Sequence, residues 1–455
     1  MANSGSWTAR SHPRGMYVLA FTELFERLSY YTLSFLLVLF ASDTVAHGGL
    51  GWSKENALAI TSAYTFAAFT LPIIGGFLAD TYLGAYRSAL IGGVLIIVGH
   101  VTMFFADAEH LPYFYLALFS VALGTAFFKP CLPSMLGQLY PRQAKNREAG
   151  FSYYYMGINL GAMVAGISSG LLLQRFGYRI ALSSAALGMA LGLSVFVAGR
   201  RHLIAQFGTE PEKATKYSKA KNSANLANQS KALRYLCLSY LFVACWALVY
   251  NLAISGTLTL YIENYTQKTV LGYDIPTTFF QSLESVGILL AAPILIFLYR
   301  FLGEKRSPHF FTQMNFAVLL STFALSFLTY MSFKVSSVNL GTSTHFTPFM
   351  WYQMAILILI VSVSEVMISP VMMSAISVLA PEKSKTTFQS FYMLVIGVTG
   401  LLAGKIGAFS LSQPFKTFFY VTLVAALIAA FYAFIRKSMV RVALQATKEI
   451  GCEKI

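Results

Sequence analysis

The chain alternates long apolar segments with short polar ones over its whole length. An α-helix needs about 20 predominantly apolar residues to cross the hydrocarbon core of a bilayer. Twelve such segments occur, six on each side of a polar stretch at 200–232. The pattern predicts an all-α protein with twelve membrane-spanning helices, which we number spans 1 to 12. Spans 1 to 6 are predicted at 16–41, 56–79, 88–106, 112–137, 148–174 and 178–199, and spans 7 to 12 at 233–262, 277–301, 308–333, 349–379, 386–411 and 416–437.

Composition and charge agree with a membrane environment. Of the 455 residues, 56% are hydrophobic and 11% are charged, whereas about 25% of a typical soluble domain is charged. The tails and the loops on their side of the membrane hold 24 of the 33 Lys and Arg residues, and the opposite loops hold six. Because basic residues are retained on the cytoplasmic side, we expect a multi-pass plasma-membrane protein (inner membrane if bacterial) with both termini cytoplasmic. The net charge of +15 is then a topology signal and not a nucleic-acid interface.

The two groups of spans show signs of an internal repeat. The loop after span 2 reads Y-L-G-A-Y-R-S at 82–88, and the loop after span 8 reads F-L-G-E-K-R-S at 301–307. Parallel six-helix repeats with a substrate site at their midplane interface are the major facilitator arrangement. Pro130 and Ser134 of span 4 are followed by Pro141, and Pro370 and Ser374 of span 10 are followed by Pro381 at the same spacings.

We therefore predict a twelve-helix major facilitator bundle of two six-helix halves with the cavity between them. The stretch at 200–232 is too polar to contain further spans and is expected to be a cytoplasmic linker. It separates an N-terminal half, 1–199, from a C-terminal half, 233–437, which a cytoplasmic tail, 438–455, follows.

Several charged side chains lie inside the predicted spans. An ionisable group in hydrocarbon costs several kcal/mol, so it normally faces a partner or a water-filled cavity. Six of these side chains are candidates for a role in transport, the alternative being ion pairs that serve structure alone. Lys405 lies near an outer end, where snorkelling to the interface is the simpler interpretation. The six candidates are Glu23, Glu26, Arg27, Lys129, Glu284 and Glu365.

Span 1 carries polar side chains at offsets that place them on one helix face. One interpretation is a self-neutralising ion cluster that holds span 1 to a neighbour. The other is a proton site beside an Arg whose planar fork can bind a carboxylate. The face consists of Glu23, Glu26, Arg27, Tyr30, Tyr31 and Ser34.

Three motifs resemble those of the proton-dependent oligopeptide transporters (the POT family). The E-x-x-E-R-L-S-Y-Y stretch at 23–31 resembles the family's E-x-x-E-R-F-x-Y-Y signature, with Leu28 where Phe is usual. The F-S-Y-Y-Y-M-G-I-N-L-G-A-M stretch at 151–163 is similar to its span 5 signature. The G-G-F-L-A-D-T-Y-L-G-A-Y-R-S stretch at 75–88 is similar to its loop motif after span 2. The resemblance implies a proton-coupled symporter that imports di- and tripeptides by alternating access.

The resemblance also implies residue roles. Lys129, in F-K-P-C-L-P-S, would bind the substrate carboxylate, and Glu365, in S-E-V-M-I-S-P, would receive the peptide amino group. Tyr154 occupies a family binding-site position. Tyr155 and Asn159 do so as well, although aromatic residues at helical spacing more often pack. The predicted substrate-binding residues are Arg27, Tyr30, Tyr31, Lys129, Tyr155, Asn159, Tyr250, Glu284, Glu365 and Ser369, and the predicted proton-coupling residues are Glu23, Glu26 and Glu284.

The loop motif predicts a gate. Gly75 and Gly76 permit close helix packing, and Asp80 and Arg87 can pair at the cytoplasmic face to keep the outward-facing state closed below. The alternative is a tight loop with solvated charges.

Two positions depart from the family pattern. Span 7 reads C-W-A-L-V-Y-N where many members have F-W-x-x-x-E-Q, so Tyr250, or Asn251 in another alignment, replaces an acid. In span 8, Glu284 stands where the family usually has Asn. Glu284 is expected either to replace the missing acid as the electrostatic partner of Lys129 or to set substrate selectivity.

Other functions are less well supported by the sequence. The substrate could instead be a non-peptide zwitterion, anion or amine, or the protein could be a peptide sensor that transports nothing. The seven histidines form no H-E-x-x-H motif, no nucleotide-binding loop occurs, and the four cysteines show no paired spacing. We expect no enzyme activity, metal or cofactor, no cleavable signal, and a monomer driven by the proton gradient.

Overall fold

The computed structural model describes residues 12–140, 147–207, 226–254, 256–302, 308–339, 349–380 and 385–449. Several predicted features lie outside these ranges: Pro141 and Pro381 of the repeat, residues 303–307 of the second loop motif, most of the predicted linker, and the end of the tail. Within the ranges the chain is almost entirely helical, because in lipid a helix satisfies its own backbone hydrogen bonds. The α-helices of the first part of the chain are α1 (Arg14–Ser42), α2 (Lys54–Leu78), α3 (Ala85–Met103), α4 (Leu111–Phe128), α5 (Cys131–Leu139), α6 (Arg147–Ala198) and α7 (Arg200–Phe207).

The second part of the chain adds longer helices and four two-residue strands. The first part of the chain also contains a 3-10 turn at Val45–His47 and a π-helical turn at Ala79–Leu83. Strand β1 (Thr266–Gln267) pairs in parallel with β4 (Phe349–Met350), and β2 (Thr269–Val270) pairs antiparallel with β3 (Tyr273–Asp274). The helices are α8 (Leu226–Ile254), α9 (Thr257–Tyr265), α10 (Thr277–Leu302), α11 (Phe310–Asn339), α12 (Trp351–Leu379), α13 (Lys385–Ser412) and α14 (Pro414–Glu449).

The predicted multi-span helical architecture is confirmed, with a different count of continuous segments. In the described ranges, eleven helical segments are long and apolar enough to cross a membrane. Predicted spans 5 and 6 are two helices that meet at a kink at Gly177, whose backbone is non-helical at φ 76° and ψ −179°, and the label α6 covers both of them. A positive φ is open to Gly because it has no Cβ, so Gly177 permits this kink within the short gap predicted between the two spans.

The residues that follow Gly177 attach α6 to two preceding loops. The Tyr178 hydroxyl donates a hydrogen bond to Asp43 Oδ2 at 3.1 Å. The next residue, Arg179, donates from Nη2 to Asp107 Oδ2 at 2.6 Å. The break in α6 is thus fixed by two side chains immediately after it.

Helix ends differ from the predicted span ends because hydropathy marks where apolar side chains stop, not where the helix stops. Part of the predicted linker is helical, since α7 covers 200–207 and α8 begins at Leu226. The last helix continues past 437 to Glu449, into the predicted tail. Predicted span 4 is divided at Lys129 and Pro130, between α4 and α5, and predicted span 7 is divided before Gly256, which has a φ of 120°.

The chain forms two compact units. The first unit comprises Met1–Leu36, Asp43–Gly51 and Thr70–Thr215, and the second comprises Leu37–Ser42, Trp52–Phe69 and Lys216–Ile455. The end of α1 and most of α2 therefore group with the second unit, whereas the predicted halves follow sequence order. The boundaries of the predicted halves stay a prediction.

Candidate functional site

The charged face of α1 forms a buried ion cluster in the first unit, as the spacing predicted. Arg27 Nε lies 3.0 Å from Glu23 Oε1, one helical turn away, and Arg27 also pairs with the adjacent Glu26. All three side chains are at most 5% exposed. We call Glu23, Glu26 and Arg27 the α1 cluster. Two acids around one base make it an arrangement that can take up a proton without leaving Arg27 unpaired.

Helix α6 contributes a further member of this site. The Tyr154 hydroxyl donates to Glu23 Oε2 at 2.6 Å. Close helix packing permits this contact: a Cβ at Gly157 would lie 2.8 Å from the Ala20 carbonyl oxygen, and one at Gly161 would lie 2.9 Å from Arg27 Cβ. Small residues four apart let two membrane helices approach in this way. Tyr154 therefore positions Glu23, a role that the binding-site resemblance had not assigned to it.

The two bases of the first unit lie over the same aromatic ring. Arg27 Cζ is 5.0 Å and Lys129 Nζ is 5.8 Å from the centroid of the Tyr30 ring. Lys129 stands at the junction of α4 and α5, where its backbone N–H still bonds to Thr125. A cation gains from an aromatic face within about 6 Å, so Tyr30 helps to hold both bases in a buried place. The arrangement suits binding of a carboxylate.

The other predicted site residues of the first unit are Tyr31, Tyr155 and Asn159. Tyr31 is half-buried, with its ring 5.1 Å from Tyr30 and 5.2 Å from Phe35. Asn159 is buried and donates from Nδ2 to the Tyr155 carbonyl oxygen at 3.0 Å. Contact of Tyr155 and Asn159 with substrate stays a prediction.

The loop motif gives close packing but leaves the gate untested. A Cβ at Gly75 would collide with the backbone carbonyl of Ala126, so α2 packs closely against α4 at this glycine. Asp80 lies in the π-helical turn and Arg87 in the first turn of α3, and both are exposed. Their pairing as a gate stays a prediction.

The second unit brings the two predicted acids together. Glu284 of α10 is buried, and its carboxyl shares a hydrogen bond with the carboxyl of Glu365 on α12. The helices approach closely here, since a Cβ at Gly287 would lie 2.6 Å from Ser362 Cβ. Each of these residues lies about one turn from an acid of its own helix. We call Glu284 and Glu365 the carboxyl pair.

Helix α8 decides which residue of C-W-A-L-V-Y-N faces the acids. Tyr250 donates a hydrogen bond to Glu284. Asn251 is 1% exposed and donates from Nδ2 to the Ala247 and Ile396 carbonyl oxygens at 2.8 and 3.2 Å. Tyr250 therefore belongs to the site, and Asn251 joins α8 to α13.

Glu365 keeps one oxygen for further binding. Its Oε2 is buried and has no hydrogen-bond partner within the described part of the chain. Ser369, one turn further along α12, shares a 2.7 Å hydrogen bond with the hydroxyl of Tyr392 on α13. Tyr392 is a residue that the sequence did not suggest, because only the packing of α13 beside α12 shows its role. A buried acceptor oxygen of this kind suits an ammonium group.

A metal site is not evident in the described ranges, where no group of three or more His, Cys, Asp or Glu side chains is placed to hold an ion.

Comparison with known proteins identifies relatives over most of the chain. The model of the POT family matches residues 86–220 and 208–421. The chain is 28% identical to the uncharacterized transporter YclF of Bacillus subtilis, over 84% of this chain and 85% of that protein. It is 27% identical to the peptide transporter YePEPT of Yersinia enterocolitica, over 89% of each chain. Among solved structures, a mutant of the peptide transporter POT in complex with alafosfalin matches with a TM-score of 0.85 and 25% identity, over 96% of each chain.

Proposed function

Because this chain belongs to the POT family of membrane transporters, we propose that it imports di- and tripeptides together with protons, by alternating access. It is a transporter and not an enzyme. The observation that carries the proposal is the sorting of buried charge. Arg27 and Lys129 share the Tyr30 ring in the first unit, and Glu284 and Glu365 share a hydrogen bond in the second. A small zwitterion, with a carboxylate and an ammonium a few bonds apart, matches this sorting.

The carboxylate end of the substrate is assigned to Arg27 and Lys129. Arg27 is already paired with Glu23 and Glu26, so a substrate carboxylate competes with these acids for the guanidinium. Protonation of either acid removes its negative charge and weakens its hold on Arg27. Proton uptake and carboxylate binding therefore favour each other, which is the linkage that a symporter needs.

The ammonium end is assigned to Glu365. Its Oε2 is buried without a hydrogen-bond partner in the described ranges, and an ammonium can supply up to three donors. Ser369 lies one turn after Glu365 on α12, and its hydroxyl shares a hydrogen bond with Tyr392. Because the two peptide termini are recognised in this way, peptides with different side chains can bind.

Uptake into liposomes tests the proposal. Purified protein is reconstituted, an inward proton gradient is imposed, and labelled dialanine and trialanine are compared with single amino acids, amines and anions. We expect concentrative uptake of the peptides that a protonophore abolishes. Peptide binding without uptake indicates a sensor, and uptake of only a non-peptide solute replaces the proposed substrate class.

We further propose a monomer in the plasma membrane with both termini cytoplasmic. The orientation of the termini is supported by the distribution of basic residues, with 24 on the side of the tails and six on the other side. Cys452, near the C-terminus, is a natural reporter. An impermeant maleimide should label it in intact cells only after permeabilisation, whereas direct labelling contradicts the orientation. Light scattering of the purified protein measures the oligomeric state.

A further inference from the structure

Helix α2 is divided between the two compact units of the chain. Its residues up to Phe69 belong to the second unit, and those from Thr70 onward belong to the first. Pro72 lies inside the helix beside this boundary. Proline has no backbone N–H, and its ring clashes with the carbonyl of the residue four positions earlier. The helix is therefore weakest where it passes from one unit to the other.

The first half of α2 packs closely on α13. A Cβ at Gly400 would lie 3.0 Å from Thr65 Cγ2, and a Cβ at Gly404 would collide with the Ser62 side chain. Ser62 and Thr65 are both buried. We call this contact between Ser62, Thr65, Gly400 and Gly404 the α2–α13 seam. It lies entirely within the second unit.

The hydroxyl groups of the seam are hydrogen-bonded within α2 itself. Those of Ser62 and Thr65 each donate at 3.0 Å to a carbonyl oxygen about one turn earlier in the helix, so parting the seam breaks neither bond. In contrast, Asn251 of α8 donates to the Ile396 carbonyl oxygen of α13 at 3.2 Å. Because a buried donor is costly to leave without its partner, α13 should stay with α8 when α2 moves away.

The second half of α2 is fixed to the first unit. A Cβ at Gly76 would lie 3.3 Å from Pro130 Cβ, and the neighbouring Gly75 packs against the α4 backbone. The short turn after α2 leads directly into α3, where the Ser88 hydroxyl donates to the Phe127 carbonyl oxygen of α4 at 3.1 Å. This end of α2 should therefore move together with α3 and α4.

We propose that α2 is a hinged gate, whose first half leaves α13 by bending at Pro72 when the transporter opens to the outer side. The inference rests on the proposed function, because alternating access requires the two units to move and α2 belongs to both. In the proposed orientation the seam lies in the outer half of α2, which begins at Lys54. There Lys54 Nζ donates to Asn264 Oδ1 at 3.0 Å, and water can replace this exposed bond on opening.

A disulfide across the seam tests the movement. Thr65 Cβ lies 3.6 Å from a Cβ placed at Gly400, within the range of about 3.5–4.5 Å that a disulfide requires. Dialanine uptake by the double variant Thr65→Cys/Gly400→Cys should fall at least about tenfold on oxidation and recover on reduction, because a locked gate stops the cycle. Oxidation should not change uptake by either single variant. Peptide mapping by mass spectrometry measures how much disulfide has formed.

The matched control is a disulfide between two helices that should stay together. Thr257→Cys/Gly407→Cys joins α9 to α13 within the second unit, with the two Cβ atoms 3.4 Å apart. Its oxidised form should keep uptake within about twofold of the reduced form, because this disulfide does not hold α2. Full uptake with the disulfide across the seam completely formed overturns the proposal. Equal loss of uptake with both disulfides overturns it as well, since the effect is then not specific to α2.

Distances between spin labels separate this proposal from the proposed function and do not depend on a disulfide. The labels are attached to Glu55→Cys and Ser412→Cys, two exposed positions at the outer ends of α2 and α13, in the full chain without its native cysteines. In liposomes this protein should show two distances, and addition of Pro72→Ala should leave only one, because the helix regains a backbone hydrogen bond. A single distance before this addition overturns the gate even where peptides are transported, and two distances after it overturn the hinge. Two distances that become one support the hinged gate even if no peptide is taken up, in which case only the proposed function fails.

Discussion

In the α1 cluster two acids surround one base, whereas the carboxyl pair has no base among its interactions in the described ranges. The first arrangement is neutralised within one helix, by acids one and four positions before Arg27. The second joins α10 and α12 through one hydrogen bond. The first therefore contains its own countercharge, whereas the described interactions of the second include no base.

The difference suggests distinct sensitivities. Transport should be lost when the base of the α1 cluster changes shape, because this base must contact both Glu23 and Glu26. The carboxyl pair should tolerate loss of one acid and change its specificity instead. Four substitutions test this comparison.

The largest effect is expected for Arg27→Lys. The charge is kept, but the planar fork that meets Glu23 and Glu26 is lost, and an ammonium cannot replace it. Dialanine uptake into liposomes should fall about a hundredfold. The matched control is Arg179→Lys, which changes a partly exposed Arg paired with Asp107 and should leave uptake within about twofold. Normal uptake by a well-folded Arg27→Lys protein removes Arg27 from the binding site.

Glu365→Gln should give the next largest effect, and a selective one. Peptides with a free amine lose a charge-assisted hydrogen bond and should bind about tenfold more weakly. Acetylated peptides should bind poorly and equally to both proteins, as measured by competition against a labelled dipeptide. Equal weakening of both classes shows that Glu365 acts in structure or proton coupling.

Gly161→Ala should disturb the α1 cluster through packing. A Cβ there meets the Leu24 backbone carbonyl as well as Arg27 Cβ, so α6 must move away from α1 and Tyr154 must leave Glu23. We expect about fivefold slower uptake and a destabilisation of about 1–3 kcal/mol. Tyr154→Phe, which removes only the hydroxyl, separates the lost hydrogen bond from the lost packing. Wild-type uptake and melting temperature would contradict the tight contact.

Gly287→Ala should have the smallest effect and should be reversible. The atoms in its way belong to the Ser362 side chain, not to backbone. The single variant should weaken dialanine binding about threefold, and adding Ser362→Gly should restore it, because the double variant removes the obstruction. Failure of the rescue indicates that the contact does not hold the carboxyl pair together.

The sequence predicted the α1 cluster more completely than the carboxyl pair for a physical reason. Residues on one helix face follow from a period of 3.6, so Glu23 and Arg27 had to be neighbours. Glu284 and Glu365 lie on different helices, and a sequence does not give the rotation of one helix against another. For the same reason the choice between Tyr250 and Asn251 stayed open, since adjacent residues point about 100° apart on a helix.

The predicted spans show a similar limit. Apolar runs located the membrane segments, and the helical architecture is confirmed. They placed the break between spans 5 and 6 at 175–177, where Gly177 interrupts the helix. They did not reveal that α14 continues to Glu449, because a helix can leave the bilayer while its side chains become polar.

A single non-helical residue, Gly177, separates the two membrane crossings of α6. During synthesis, a loop of ordinary length lets one crossing settle before the next one follows. With Gly177 alone between them, we expect the two crossings to enter the bilayer as one hairpin. Arg179 lies next to this turn, and its contact with Asp107 provides the charge of Arg179 with a countercharge. An insertion at Gly177 should therefore harm biogenesis of the protein more than its transport cycle.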